Sequence, residues 1–386
     1  MKEKLAFLFG SGTSLPARVA STSQITERVL TGTDVSRHSD ETYYFGKPMY
    51  GMTDEYVPKV VSFIRRLKTE IDNYYSFHSN RETNYEDIYS VAIQLHDSES
   101  GEFDNPSVAA LVEKIRSDSW HVLVGRPLLE TSDWRIIDIT SEATNYIADV
   151  VWHMLATAPG DLSYLGFLKE CLLDDRFDGA DVFTLNHDTI LESYFEAFAV
   201  RFIDGFDNPS DNVRYWNPSN FEPANNNQVR LFKLHGSINW FRFEDRPSLT
   251  LGIPLKDFWK SGSRDYPPKG RPEMLIGTHN KILLYSGPIY VDLHSLFYRY
   301  LQATNTLVIS GYSFNDKVIN TRVIYWLSSN PKNKIILVHP NLKNLKISAR
   351  PAIARQLDLW RDQKKLSLVE KRVEATLWSD IVAGLS

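Results

Sequence analysis

Cysteine is nearly absent: Cys171 is the only one in 386 residues. No intramolecular disulfide can form, and no multi-cysteine metal site can be built. Such sparse use fits a reducing compartment, so a cytoplasmic location is expected. Long apolar runs are missing too. Residues 5–9 (LAFLF) are too few for a signal peptide or a membrane span, and no other run is long enough. Positive charge is not in excess. The net charge of −5 gives no bulk attraction for a polyanion, so nucleic acid is not indicated directly. No internal repeat and no low-complexity tract is present. What remains is an ordinary globular composition, 42% apolar and 24% charged, in a chain long enough for two domains or for one with a large insert.

The most informative stretch is residues 231–240, LFKLHGSINW. An apolar strand ends in His235, and Gly236-Ser237 then turns the backbone away. An α/β protein presents a reactive side chain in this way, on the loop at the carboxyl end of a strand. Three other stretches share the pattern. Residues 5–9 open into Gly10-Ser11-Gly12-Thr13-Ser14. DVFTLN, residues 181–186, runs into His187-Asp188. TLVIS, residues 306–310, opens into Gly311-Tyr312-Ser313-Phe314-Asn315-Asp316. A fifth strand, KIILV at 334–338, is tipped by His339-Pro340-Asn341. Small residues let a backbone approach a ligand closely, and N–H groups at a helix start can cradle phosphate. Asp188, at a strand-to-helix junction, also fits a helix N-cap.

Between the first strand and residue 181 the period changes. Val57, Val60, Val61, Ile64, Leu67, Ile71 and Tyr74 recur at three and four, which predicts a long amphipathic helix. Further helices are predicted near 84–96, 106–118, 141–158 and 161–173. Residues 20–56 read as a long irregular stretch, of the kind that serves as a lid. Residues 281–285 (KILLY) read as a short strand, and the tail as helical or mixed, with a short helix near 378–385. The predicted fold is therefore α/β: a doubly wound, Rossmann-like, mostly parallel sheet with a large helical insert. The predicted division is 1–50 with 178–386 for the sheet domain and 51–177 for the insert.

The order Gly10-Ser11-Gly12-Thr13-Ser14, Thr184-Leu185-Asn186-His187-Asp188, Leu234-His235-Gly236-Ser237 and Gly311-Tyr312-Ser313 resembles the sirtuin NAD-binding fold. It is most similar to the bacterial sirtuin-like branch of antiphage defence, where Leu-His-Gly-Ser and Gly-Tyr-Ser-Phe-Asn-Asp recur. The resemblance implies that Gly10, Ser11, Gly12, Thr13 and Ser14 hold the pyrophosphate. It implies that Asn186 and Asp188 hold the nicotinamide ribose and carboxamide, and that His235 is the general base. Gly311, Ser313 and Asn315 would contact phosphate or the adenine ribose, with His339, or Asn341 in its place, toward adenosine. Sirtuin deacylases also carry four cysteines on a zinc module and a Phe-Gly-Glu segment that pairs with the acyl peptide. This chain has neither, and Leu185 replaces the usual glutamine. No zinc is expected, and water is the expected acceptor.

Breaking a nicotinamide–ribose bond passes through an oxocarbenium-like state, as in glycoside hydrolysis. The leaving group is already cationic and needs no general acid. Asp188 offers charge, Asn186 orients ribose and water, and His235 takes a proton from water or a ribose hydroxyl. The expected activity is NAD hydrolysis to nicotinamide and ADP-ribose, depleting NAD in defence. A non-catalytic NAD or ADP-ribose sensor gating a partner is the alternative, with a deacylase or ADP-ribosyltransferase behind it. The insert's apolar faces, with Val57, Ile64, Tyr85 and Tyr89, predict a homo-oligomer. The resemblance adds a HerA-type hexameric ATPase as partner.

Overall fold

The computed structural model describes residues 3–48, 56–78, 81–102, 106–117, 135–210, 212–222, 228–243, 250–255, 270–278 and 285–385. The chain divides into two compact units: one of Met1–Val19, Ala156–Leu275 and Ile282–Ser386, the other of Ala20–Leu155 and Ile276–Lys281. Residues 20–50 thus group with the helices, and 156–177 with the sheet.

The described strands, in chain order, begin with β1 (Glu3–Phe9), β2 (Val35–Arg37), β3 (Tyr43–Phe45), β4 (Phe177–Thr184), β5 (Phe202–Ile203) and β6 (Val213–Tyr215). They continue with β7 (Val229–Lys233), β8 (Phe241–Phe243), β9 (Thr250–Pro254), β10 (Thr306–Ser310), β11 (Lys334–Val338) and β12 (Leu366–Val369). Seven form one sheet, in the order β12-β11-β10-β1-β4-β7-β5. Every pairing in it is parallel. Continuous runs of apolar residues are what a parallel sheet covered on both faces needs, and residues 5–9 of β1 are all fully buried. Antiparallel β6, β9 and β8 form a separate small sheet in the same unit.

The register aligns the strand ends. Phe9 pairs with both Ser310 and Thr184, Thr184 with Lys233, Ser310 with Val338, and Val338 with Val369. Six neighbouring strands therefore finish in one row, and the loops that follow them leave the sheet side by side. The chain enters at β1, in the middle of the sheet. It builds β4, β7 and β5 to one side and later β10, β11 and β12 to the other. Such a reversal opens a crevice at the carboxyl ends of the strands. Asp181 of β4 and Arg230 of β7 are lateral partners joined by two bonds of 2.6 and 2.8 Å, which pins the register of that pair.

The expected doubly wound sheet is found, and it reaches further than predicted. The tail supplies β12 as well as the helix Trp378–Leu385. Residues 20–48 are not irregular. Ser21 and Gln24 form a capping box that starts the helix Thr22–Thr31, Gly32 ends it at φ +67°, and β2 and β3 follow as an antiparallel pair. No lid is therefore read there. Most of the predicted strand 281–285 lies outside the described residues.

The helical unit contains Thr22–Thr31, Tyr56–His78, Tyr85–Ser100, Ala109–Ser117 and Ile136–Leu155. Asn84 caps its helix by accepting from the Glu86 and Asp87 amides. Val57, Ile64 and Tyr85 are buried in this unit, and Tyr89 is half-buried. Val57, Ile64 and Tyr85 are taken up by packing within the unit, which leaves Tyr89 as the partly exposed member of the expected interface. Among the described residues no helix is long and apolar enough to cross a membrane.

Candidate functional site

Two glycine turns close on each other where β1 and β10 end. A Cβ at Gly10 would stand 2.6 Å from the Gly311 carbonyl oxygen. Gly311 has φ +64°, and a Cβ there would stand 2.2 Å from the Thr13 nitrogen. Only glycine fits either position. The contact also uses the amides expected to face a phosphate. Gly10 N–H donates to Ser310, Gly12 N–H to Gly311, Thr13 N–H to Gly10 and Ser14 N–H to Ser11. The Thr13 hydroxyl is buried and donates to the Ser310 carbonyl at 3.0 Å. Two short 3₁₀ turns, Ser11–Thr13 and Leu15–Ala17, follow β1 in place of an α-helix. These glycines shape a loop–loop contact that takes up four of the loop amides.

The tip of β4 is tied to this contact. Asn186 Nδ2 donates to the Gly10 carbonyl at 3.1 Å and to Ser14 Oγ at 2.9 Å, while its backbone N–H donates to Thr184 Oγ1. Both amide protons are committed, and Oδ1 is the acceptor the side chain presents. Asp188 Oδ1 accepts from the Ile190 amide at the start of the helix Ile190–Ala197, the capping role its position allows. Its main-chain carbonyl accepts from Lys233 Nζ. Lys233, the last residue of β7, also bonds Glu192 at 2.8 Å. Burial holds the Glu192 carboxyl above its usual range, against the pull of Lys233.

His235 follows β7 and is 3% exposed. Its main-chain carbonyl accepts from Leu275 N–H. Gly236 turns the chain at φ +79°, where a Cβ would meet the Glu273 carbonyl at 2.2 Å. His235 Nε2 lies 3.0 Å from the Tyr285 hydroxyl and 3.2 Å from Asp316 Oδ2. Tyr285 donates to that same Oδ2 at 2.6 Å. The other carboxylate oxygen of Asp316 caps the helix Lys317–Ser329, accepting from Val318 and Ile319 N–H. The His187 ring stands 6.3 Å from that of His235, and His294 packs edge-on against Tyr285 at 4.0 Å. Burial, and then the charge of His235, pull His294 down to about 3, with Asp316 opposing.

A cavity of about 500 Å³ opens at the same row of strand ends. That lies within the roughly 300–1,000 Å³ of small-molecule sites. Gly12, Gly311, Ser313 and His339 line it, joined by Lys371 and Arg372 from the end of β12. Burial lowers the His339 imidazole below its ordinary value, and the Asn341 amide donates to its Nδ1. Asn341 caps the helix Leu342–Ser348. Ser14 faces Asn186, and Asn315 bonds Ser313 Oγ at 3.0 Å. Gly10, Ser11, Thr13, Asn186, Asp188 and His235 are not among the cavity's lining residues.

The structure thus gathers the predicted residues into two groups. Gly12, Gly311, Ser313 and His339 share the cavity. Asn186, Asp188 and His235 are buried at the ends of β4 and β7, stitched together where Ser237 Oγ and Ile238 N–H donate to the His187 carbonyl. Sequence reasoning missed Asp316, Tyr285 and Lys371. Asp316 had a signal, an acid directly before a helical period; Tyr285 had none, and Lys371 follows an apolar run that was not read as a strand. Among the described residues no group of three His, Cys, Asp or Glu is placed to hold a metal ion.

Residues 180–361 match a family model described as "SIR2-like domain". The matched segment spans just under half the chain and includes Asn186, His235, Tyr285, Asp316 and His339. Among solved structures, a Sir2 homologue mutant in complex with ADP-ribose aligns over 99% of this chain and 92% of its own, at 10% identity and a TM-score of 0.39. A second, a Sir2 homologue mutant in complex with 2′-O-acetyl ADP-ribose, aligns over the same shares at 11% identity and 0.38. A search of curated proteins found no match.

Proposed function

We propose that the protein is an NAD glycohydrolase, cleaving the nicotinamide–ribose bond to give nicotinamide and ADP-ribose. One observation carries the reading. A histidine bonded to a carboxylate, and an asparagine with both amide protons committed, stand at the ends of adjacent parallel strands. Simple nucleotide binding needs neither. The SIR2-like match covers both residues. The cavity walled by Gly12, Gly311, Ser313 and His339 would take the adenosine diphosphate part. Asn186 would offer Oδ1 to ribose or water, Asp188 would add negative charge near the developing oxocarbenium ion, and His235 would accept a proton from water. Water is the acceptor in this reading because a chain with one cysteine cannot build the four-cysteine module of deacylases. NAD depletion in antiphage defence is the role that the sequence resemblance suggests.

One observation favours a second reading, a sensor that binds NAD or ADP-ribose without turnover. The cavity wall includes adenosine-side residues but not Asn186 or His235. Purified protein incubated with NAD, with products separated by chromatography and binding followed by calorimetry, separates the two. Hydrolysis lost in His235→Ala and Asn186→Ala supports the enzyme. Binding without nicotinamide release in the parent protein supports the sensor.

A further inference from the structure

Two acceptors beside His235 Nε2 decide where its proton sits. An ionised carboxylate can only accept, and Asp316 Oδ2 is 3.2 Å from Nε2. Tyr285 has one proton, committed to Asp316 at 2.6 Å, so the tyrosine oxygen facing Nε2 at 3.0 Å presents a lone pair. Tyr285 and Asp316 thus both face Nε2 as acceptors. Nε2 therefore carries the hydrogen, and the basic lone pair of the neutral ring lies on Nδ1.

We propose that Asp316, with Tyr285 as its brace, is a positioning residue that sets the tautomer of His235 and compensates the imidazolium formed when Nδ1 takes a proton. The catalytic half of this rests on the NAD hydrolase reading; the tautomer does not. In that half, water gives its proton to Nδ1 as its oxygen bonds to the ribose carbon and nicotinamide leaves with the bonding pair. The positive charge gained by the ring is met by Asp316 through Nε2–H, and no proton passes to the carboxylate. Other titratable groups face the same ring. Among the described residues they include His187, Tyr285 and His294 from the helix Pro288–Gln302, while the Tyr290 hydroxyl lies beside Gly236. Arg322, from the helix Lys317–Ser329, bears on His294. Asp316 is the carboxylate held against Nε2.

The cap makes the test specific. Asp316 Oδ1 accepts from two helix amides at 2.8 and 3.0 Å. In Asp316→Asn the carbonyl oxygen must stay on those amides, and asparagine caps as well as aspartate. The new NH₂ then occupies the Oδ2 position and points a donor at His235. Nε2 must accept, the proton moves to Nδ1, and the base is switched off without loss of the helix cap. The ¹⁵N shifts of His235 at pH 8, assigned by comparison with His235→Ala, read the tautomer directly. We expect Nε2–H in the parent and in Tyr285→Phe, and Nδ1–H in Asp316→Asn. The His235 pKa should fall by about one to three pH units in Asp316→Asn. NAD turnover should drop on the order of a hundredfold or more while the substrate KM changes little. Nδ1–H in the parent protein, or an unchanged tautomer in Asp316→Asn, overturns the proposal. The parent spectrum decides even if that variant fails to fold. A parent that does not hydrolyse NAD removes the enzyme reading and leaves the tautomer assignment to the spectrum.

Discussion

Asn186 Nδ2 and the Gly10 carbonyl oxygen are 3.1 Å apart, across 176 residues of sequence. The bond ties the end of β4 to the turn after β1, and it needs a donor on the side chain. Asn186→Asp keeps the shape and removes the donor, so a carboxylate oxygen is set against the Gly10 carbonyl oxygen. We expect that substitution to cost about 1–3 kcal/mol, at least as much as Asn186→Ala, although it changes fewer atoms. Urea midpoints of the two variants measure the order; a milder effect for aspartate would show that the amide is not held as described.

The close approach of the glycine turns predicts an unequal pair of substitutions. Gly311 and Gly270 both have positive φ, +64° and +76°. Among the described residues a Cβ at Gly270 meets nothing within 4 Å, whereas at Gly311 it meets the Thr13 nitrogen at 2.2 Å. Gly270→Ala should cost about 1 kcal/mol, from backbone conformation alone. Gly311→Ala should cost more than about 2 kcal/mol and should disturb the cavity wall. Equal losses in chemical denaturation would refute the contact.

How much of this was legible beforehand depended on whether a feature is local. TLVIS and KIILV became β10 and β11 with the predicted ends, because a strand buried on both faces needs little beyond an unbroken apolar run. The helix Thr22–Thr31 was legible in Ser21, Gln24 and Gly32, and was passed over because the polar composition around it suggested loop. The convergence of Tyr285 and Asp316 on His235 was not legible, since neighbours 50 and more residues away leave no periodic trace. Nor can a sequence tell whether a glycine makes room for a ligand or, as Gly10 and Gly311 do, for another turn.

His294 supplies a pH dependence. Its folded pKa near 3 lies below the ordinary 6.5, so the unfolded chain binds its proton first as the pH falls. The stability it contributes is complete above about 6.5 and is lost as the pH drops toward 3. From pH 7 to pH 5 the loss should be about 2 kcal/mol. His294→Asn does not titrate there and should show that much less acid sensitivity in urea titrations followed by tryptophan fluorescence. A parent and variant with parallel pH profiles would contradict the burial of a neutral imidazole.

Cys171 should be inert. It is fully buried, and burial pushes its thiol up to about 12, so almost no thiolate forms at pH 8. A chromogenic disulfide reagent should find no thiol in the native protein and one per chain in concentrated guanidinium. Rapid native reaction would contradict the packing of the helix Gly166–Leu173.

The place of β1 in the sheet bears on how the protein is made. It is synthesised before both of its neighbours, β4 and β10, which follow near residues 180 and 308. One flank of β1 therefore stays bare until residues 306–310 have been synthesised. The wall between Gly12 and Gly311 cannot exist before then. Fragments that stop before β10 lack this cavity and expose an apolar edge that invites aggregation and clearance. For a protein proposed to consume a cell's own NAD, this topology keeps unfinished copies harmless.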